Sequence, residues 1–300
     1  MKVCPGRAIT PNMRLSRFFL KHRIFLASAS TLLFLVLCQG VITHSRSVTV
    51  RVERWLIVQQ NSGQVTFQSK GTSRPAAKGD RLQTVGDGVT TSNRSAAELL
   101  VDTGIGFIQV SENTQVRVRA MGFAPDNGRT TSLDVPYGQI RLQLRRFTHP
   151  GSYLEIHTPA GVSAVRGTTF GMSVQPNGKT GLATLSGAVA STAQGKSVLV
   201  RGGFQNFVIP GKPPSPPVPL KDNTDLKYEI KPLIRAGIRS VRIEGQVDPV
   251  NIVLVEGKPQ VTDQNGRFSV PLLALSTQTL EVMVITPLGR SQVYKLFIRL

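Results

Sequence analysis

Between residues 48 and 119 apolar side chains alternate over short runs, turn residues return about every 8–12 positions, and no helical period develops. A period of two is that of a half-buried strand, so this chain is constrained to an all-β body. Residues 48–58 read as an opening strand. Shorter ones follow over 97–104, 107–110 and 114–119. The most specific stretch is 158–174, where Val162 and Ala164 precede an Arg166-Gly167 break, and Thr168, Phe170 and Met172 alternate after it. Arg-Gly-Thr at that point calls for a tight backbone feature that a larger residue would obstruct. A second strand pair is expected over 182–190 and 198–204. Gly63-Gln-Val-Thr, Gly138-Gln-Ile-Arg and Gly187-Ala-Val-Ala each open a strand with one form, at spacings too irregular for a repeat array. Recurrent glycine-led strands imply a roll-like sandwich.

These residues resemble the FecR domain of bacterial extracytoplasmic regulatory proteins. The family pattern of Thr-Pro, then Arg-Gly-Thr-x-Phe, then Gly-x-Val is met by Thr158, Pro159, Arg166, Gly167, Thr168, Phe170 and Gly187. A further piece runs over 198–202, and the likeness reaches upstream to about Gly63 through Lys78-Gly-Asp-Arg-Leu82 and residues 97–104. Thr103 separates Asp102 from Gly104, where the family has a glycine directly after the aspartate, so this hairpin is expected to be bulged or extended. The resemblance implies a FecR-type β roll or sandwich over 48–209. It also implies a place in envelope signalling. In the best-known members a cytoplasmic tail touches a sigma factor, and the FecR domain takes a signal from an outer-membrane iron transporter.

Ahead of this body, residues 1–23 form a basic tail with Lys2, Arg7, Arg14, Arg17, Lys21 and Arg23, and an uncharged apolar run follows over 24–42. A basic flank before such a run reads as a signal peptide or membrane-anchor helix, with the tail kept in the cytoplasm. The domain reading takes 24–43 as that segment. Cleavage and retention both stand. Leu37 occupies the position where a small residue would precede a lipidated cysteine, which disfavours lipidation of Cys38. The tail is too short for the usual anti-sigma domain. The reading is therefore an extracytoplasmic protein of the periplasm or cell envelope. Both cysteines, Cys4 and Cys38, lie in this segment, so the remaining chain holds no disulfide and no thiolate metal site.

The net charge is +19, with 36 Lys and Arg against 17 Asp and Glu. Residues 1–43 carry six basic and no acidic side chains, 44–210 carry 18 and 9, and 211–300 carry 12 and 8. An excess spread in this way attracts polyanions in general, and export argues against nucleic acid. Pro210, Pro213, Pro214, Pro216, Pro217 and Pro219 crowd one decade, a density that a central strand would not accept. The stretch 210–236 reads as a semi-rigid spacer, or as a ligand for an aromatic groove. Residues 237–300 are β again. Gly245, Gly257, Asp263, Gly266, Phe268 and Gly289 resemble the pattern of small immunoglobulin-like modules on bacterial surface proteins, which implies a small immunoglobulin-like β-sandwich.

Chemistry-bearing patterns are sparse, and no catalytic residue, metal ligand or cofactor site is assigned. His22, His44, His149 and His157 share no metal spacing. Gly178-Lys179-Thr180 and Gly195-Lys196-Ser197 end like a phosphate-binding loop but lack its first glycine and its strand–helix setting, so both read as turns. Asp263, Asn265 and Gly266 read as a hairpin turn, since the later glutamate of a calcium loop is absent. Arg141 and Arg145 share one strand face, and with Arg146 they could form a basic stripe for carboxylates or sulfates, or simply a solvated face. Two readings follow. One is a non-enzymatic FecR-type binding or sensing protein whose partner is another envelope protein. The other is a structural or adhesion module binding cell-wall or anionic surface polysaccharide. Either would touch the membrane through the N-terminal segment if that segment is uncleaved.

Overall fold

The computed structural model describes residues 54–102, 104–235, 238–273 and 278–298. The basic tail and the apolar segment of residues 24–43 lie outside these. Among the described residues, two open nine-stranded sheets form the first body. The chain passes between them in short visits. β1 (Leu56–Ser62) lies in the first sheet, β2 (Val65–Ser69) and β3 (Thr72–Pro75) in the second, β4 (Arg81–Leu82) in the first and β5 (Gly88–Thr91) in the second. Hairpins then alternate: β6 (Ala96–Val101) with β7 (Gly106–Val110) in the first sheet, and β8 (Thr114–Phe123) with β9 (Arg129–Asp134) in the second. β10 (Gly138–Leu144) returns to the first, and β11 (Tyr153–Thr158) with β12 (Gly161–Val165) to the second. β13 (Thr169–Val174) and β14 (Thr180–Ser186) occupy the first, β15 (Ala188–Ala193) and β16 (Lys196–Arg201) the second, and β17 (Phe204–Val208) and β18 (Val218–Pro219) close the first.

This is a β roll built as a sandwich. β9 and β11 pair in parallel, Tyr153 opposite Thr130, because the chain leaves the second sheet for β10 and comes back in the same direction. Phe170, Leu99, Ile108, Ile140 and Leu182 point between the sheets and are almost fully buried. Each such side chain stabilises the fold by about 1.5–3 kcal/mol relative to exposure. The three glycine-led strands mark corners where the chain changes sheets. Gly138 and Gly187 take φ of 97° and 81° there. A Cβ on Gly138 would sit 2.5 Å from Thr114 Cα, so only glycine lets the corner close. At the β6–β7 turn, Asp102 and Gly104 are both left-handed, with φ of 47° and 84°. Thr103 itself is outside the described residues.

The C-terminal body is a β-sandwich of three and four strands. Its first sheet holds β19 (Lys227–Arg235), β20 (Ile238–Gln246) and, after β21 (Ile252–Val255) and β22 (Lys258–Gln260), β23 (Arg267–Leu273). β21 and β22 join β24 (Gln278–Ile285) and β25 (Ser291–Ile298) in the second sheet. Val253, Val282, Val284, Ile243 and Ile298 form its core. β19 begins at Lys227, ten residues ahead of the expected boundary at 237.

The expected spacer over 210–236 is instead folded onto both bodies. β18 pairs with the free edge of β17, Val218 opposite Gln205, and Ser215 N–H donates to Phe207 O at 2.9 Å. Proline is compatible with a sheet edge, where its missing donor is not needed. Further on, Asp222 Oδ1 accepts from Thr286 Oγ1 at 2.6 Å, and Thr224 O accepts from Tyr294 Oη at 2.9 Å. The proline-rich chain is a clasp.

Candidate functional site

The Arg-Gly-Thr segment is the crossing from β12 in the second sheet to β13 in the first. Gly167 has φ of 112°, and a Cβ there would meet Arg146 Cα at 2.2 Å. The glycine thus lets two backbones touch. Arg166 is exposed; its carbonyl accepts from Phe147 N–H at 3.1 Å, and its guanidinium donates to His149 O at 3.3 Å. Buried Thr168 donates from Oγ1 to Ala188 O at 2.9 Å, and Phe170 fills the core. Gly187 sits over Gly167 and Thr168, with 2.9 Å from a Cβ placed on it to Gly167 O. Thr158 Oγ1 donates to Gly161 O and accepts from Thr180 Oγ1 at 2.9 Å, tying the tips of two hairpins, and Pro159 packs on Gly178. These motif residues hold the roll together.

The arginines divide. Arg141 is exposed near the middle of β10, its side chain beside Gly289 of the C-terminal sandwich. Arg145 and Arg146 follow the end of the strand and line a different place, a cavity of about 420 Å³. Four residues of extended chain, about 13 Å, separate the two environments. A continuous stripe of Arg141, Arg145 and Arg146 is not formed, because the strand ends at Leu144 and the backbone turns to meet Gly167.

Alternation along β13 places Phe170, Met172 and Val174 in the core and Gly171 and Ser173 on the opposite face, with Gln175 just past the strand's end. That outer face is buried too, because the C-terminal sandwich docks on it. A Cβ on Gly171 would lie 1.9 Å from Pro287 O, and one on Gly181 would lie 2.2 Å from Val250 O. Small residues therefore bring loop backbone directly onto the sheet. Polar side chains meet the loop groups: Ser173 Oγ donates to Val250 O at 2.7 Å, and Gln139 Nε2 to Thr286 O at 2.7 Å. Gln175 does most, donating to Asn251 O at 3.0 Å and accepting from Thr262 N–H at 2.9 Å. Gln205 donates to Asp248 Oδ1 at 2.9 Å.

Lys179 lies at the centre of the junction, 1% exposed. Its Nζ donates to Thr262 Oγ1 at 2.9 Å and to Asp263 O, and it sits 5.0 Å from the Phe207 ring centroid. Burial pushes its pKa down to about 8, partly opposed by the charges of Asp263 and Asp248. Sequence reasoning placed Lys179 in a turn and Asp263 in another. Both are in turns, and the turns face each other across 84 residues of chain. Asp263 Oδ1 also accepts from Asn265 and Arg267 N–H at 2.8 Å, the geometry of an Asx-type hairpin turn. A cleft of about 1060 Å³ opens beside Lys179, with Lys212, Tyr228, Glu244 and Arg267 on its walls. Among the described residues, no three His, Cys, Asp or Glu side chains group as metal ligands would.

Fold and junction together define a class: a two-sheet β roll whose motif residues are structural and which carries a second β body on one face. Residues 87–190, from β5 into β15 in the middle of the roll, match the family model described as FecR protein. The pieces at 78–82 and 198–202 fall outside the matched residues but inside the same two sheets. The match does not extend to the C-terminal sandwich. Two crystal structures of a candidate anti-sigma factor from Parabacteroides distasonis are similar, each at 12% identity and a TM-score of 0.36. One alignment covers 46% of this chain and 65% of the other, under two thirds of its length, and the second covers 48% and 68%. No curated protein matches the chain. The FecR match supports a role as a regulator in signal transduction, and the family is a regulatory rather than an enzymatic one.

Proposed function

We propose that this protein is an extracytoplasmic, non-enzymatic regulator, exported or anchored by residues 24–42, whose docked roll and sandwich bind another envelope protein. The observation that carries the reading is the FecR match at 87–190 on a roll held against a second body by buried side-chain bonds from Gln139, Ser173, Gln175 and Lys179. A regulator has to pass a binding event from one surface to another, and a polar, fully bonded junction is costly to leave half-made. That favours two discrete arrangements, docked and undocked, over a graded series. The polysaccharide alternative draws its support from a continuous arginine stripe, which the division of Arg141 from Arg145 and Arg146 weakens.

Two readouts on the native cell test the proposal. Protease added to intact spheroplasts is expected to digest the body beyond residue 54, and deletion of the gene is expected to change a discrete set of transcripts. A body protected until the membrane is lysed would refute the location. A transcript profile unchanged under envelope stress would refute the regulatory role.

A further inference from the structure

At the end of the roll bounded by the β6–β7 turn, the cavity of about 420 Å³ is lined by Arg54, Asp102, Arg129, Arg145, Arg146 and His149, among others. Its size is that of a small-ligand site. Four guanidiniums face one carboxylate, and that carboxylate is already committed. Asp102 takes two hydrogen bonds from Arg54, at 2.8 and 3.3 Å, in an ion pair whose side chains are only 6% and 5% exposed. Arg54 spends its remaining donors on Gly122 O, Thr130 O and Thr131 Oγ1. Arg129 reaches Asp102 only at 3.9 Å and is 37% exposed. Among the described residues, the guanidiniums of Arg145 and Arg146 have no hydrogen-bond or ion-pair partner. The cavity therefore presents three positive charges beyond its internal pair.

The backbone beneath those charges is held. Arg145 N–H donates to Ile105 O at 2.9 Å, and Arg146 Cα is pressed against Gly167. His149 Nδ1 accepts Gly151 N–H at 3.2 Å, which leaves Nε2 as the donor of the neutral ring. We infer that this cavity is an oxyanion site that takes a phosphate group, with Arg145 and Arg146 as its principal donors and Arg129 as the third. Planar guanidinium forks match a tetrahedral oxyanion bidentately, and the held backbone sets both side chains at the cavity mouth. A cavity of this volume, open to solvent on the side of Arg145 and Arg146, suits one small group rather than a long polyanion. The inference does not depend on the regulatory reading.

The test is calorimetric titration of the full-length chain in neutral detergent at low salt, with inorganic phosphate and with glycerol 3-phosphate as probes. Wild type is expected to bind at least one of them, and Arg145→Gln/Arg146→Gln to bind it at least tenfold more weakly, about the effect of losing one charge-assisted bond. Arg141→Gln, which removes one such charge outside the cavity, is expected to leave binding within twofold, and Arg129→Gln, one charge within it, to weaken binding. Preference for inorganic phosphate would support a free-ion ligand, and preference for the ester would support a headgroup or other phosphoester. Circular dichroism matching wild type keeps the double variant interpretable. If it does not fold, Arg129→Gln replaces it with the same expected direction. Failure of wild type to bind either probe would overturn the inference. So would equal losses in Arg141→Gln and the cavity variants, the mark of general charge attraction.

Discussion

Replacing Lys179 by methionine removes a buried ammonium and leaves a side chain of similar length in its place. In the folded protein the Lys179 pKa is lowered from 10.5 to about 8 by burial, against the opposing pull of Asp263 and Asp248. In the unfolded chain it titrates near its ordinary value. Between pH 8 and 10.5 the unfolded chain then holds more protons than the folded one, so stability rises with pH across that window. Below pH 8 both states are protonated and the penalty stays constant. Two and a half units at about 1.4 kcal/mol each give a rise of about 3 kcal/mol. The methionine has nothing to titrate. At neutral pH it escapes the cost of burying charge but strips Thr262 Oγ1 and Asp263 O of their donor, about 1–3 kcal/mol each way, so the two effects offset. The signature is therefore the slope and not the value at pH 7. Urea unfolding followed by the fluorescence of Trp55, the single tryptophan, gives stability at each pH for wild type and Lys179→Met. The difference between the curves is expected to change by about 3 kcal/mol from pH 7.5 to 10.5, in favour of wild type. Parallel curves would refute the argument, because they would mean that Lys179 is hydrated in the folded state and does not anchor the junction.

Gly167→Ala combines a forbidden φ with a 2.2 Å collision against Arg146 Cα, and is expected to cost more than about 3 kcal/mol in urea unfolding. Gly79→Ala, also at positive φ but in open space, is expected to cost only about 1–2 kcal/mol. Phe170→Ala empties a fully buried site and is expected to lower stability by about 3–5 kcal/mol. Gln175→Leu strands Asn251 O and Thr262 N–H at the junction; limited proteolysis is expected to cut within 210–226 faster than in wild type, while the circular dichroism spectrum holds. Asp102→Asn uncouples a buried ion pair and is expected to cost about 3–5 kcal/mol, read by thermal unfolding.

The all-β body could be read directly, because a period of two is written locally in residues such as Leu154, Ile156, Phe170 and Met172, all of which point into the core. The corners could be read for a similar reason. At Gly138, Gly167 and Gly187 the backbone demands a φ that other residues resist. The Arg-Gly-Thr-x-Phe segment signalled an important place, and the structure gives it a mechanical task. The same local reading misjudged the proline-rich stretch. Proline density reports the absence of donors, and it is silent about whether the remaining carbonyls and N–H groups find an edge such as β17.

The sequence by itself determined the strand period, the sheet-changing corners and the apolar interior of the roll, since each depends on neighbours within a few residues. Tertiary structure alone decided that β13 is covered on both faces, that Lys179 is buried against a turn 84 residues away, and that Arg141 parts from Arg145 and Arg146. Gln139, Ser173 and Gln175 look like the solvated half of an alternating strand. They are buried because a distant loop backbone supplies the bonds that water would otherwise make. Alternation tells which side chains share a face, but what covers that face is settled by packing between segments far apart in the chain.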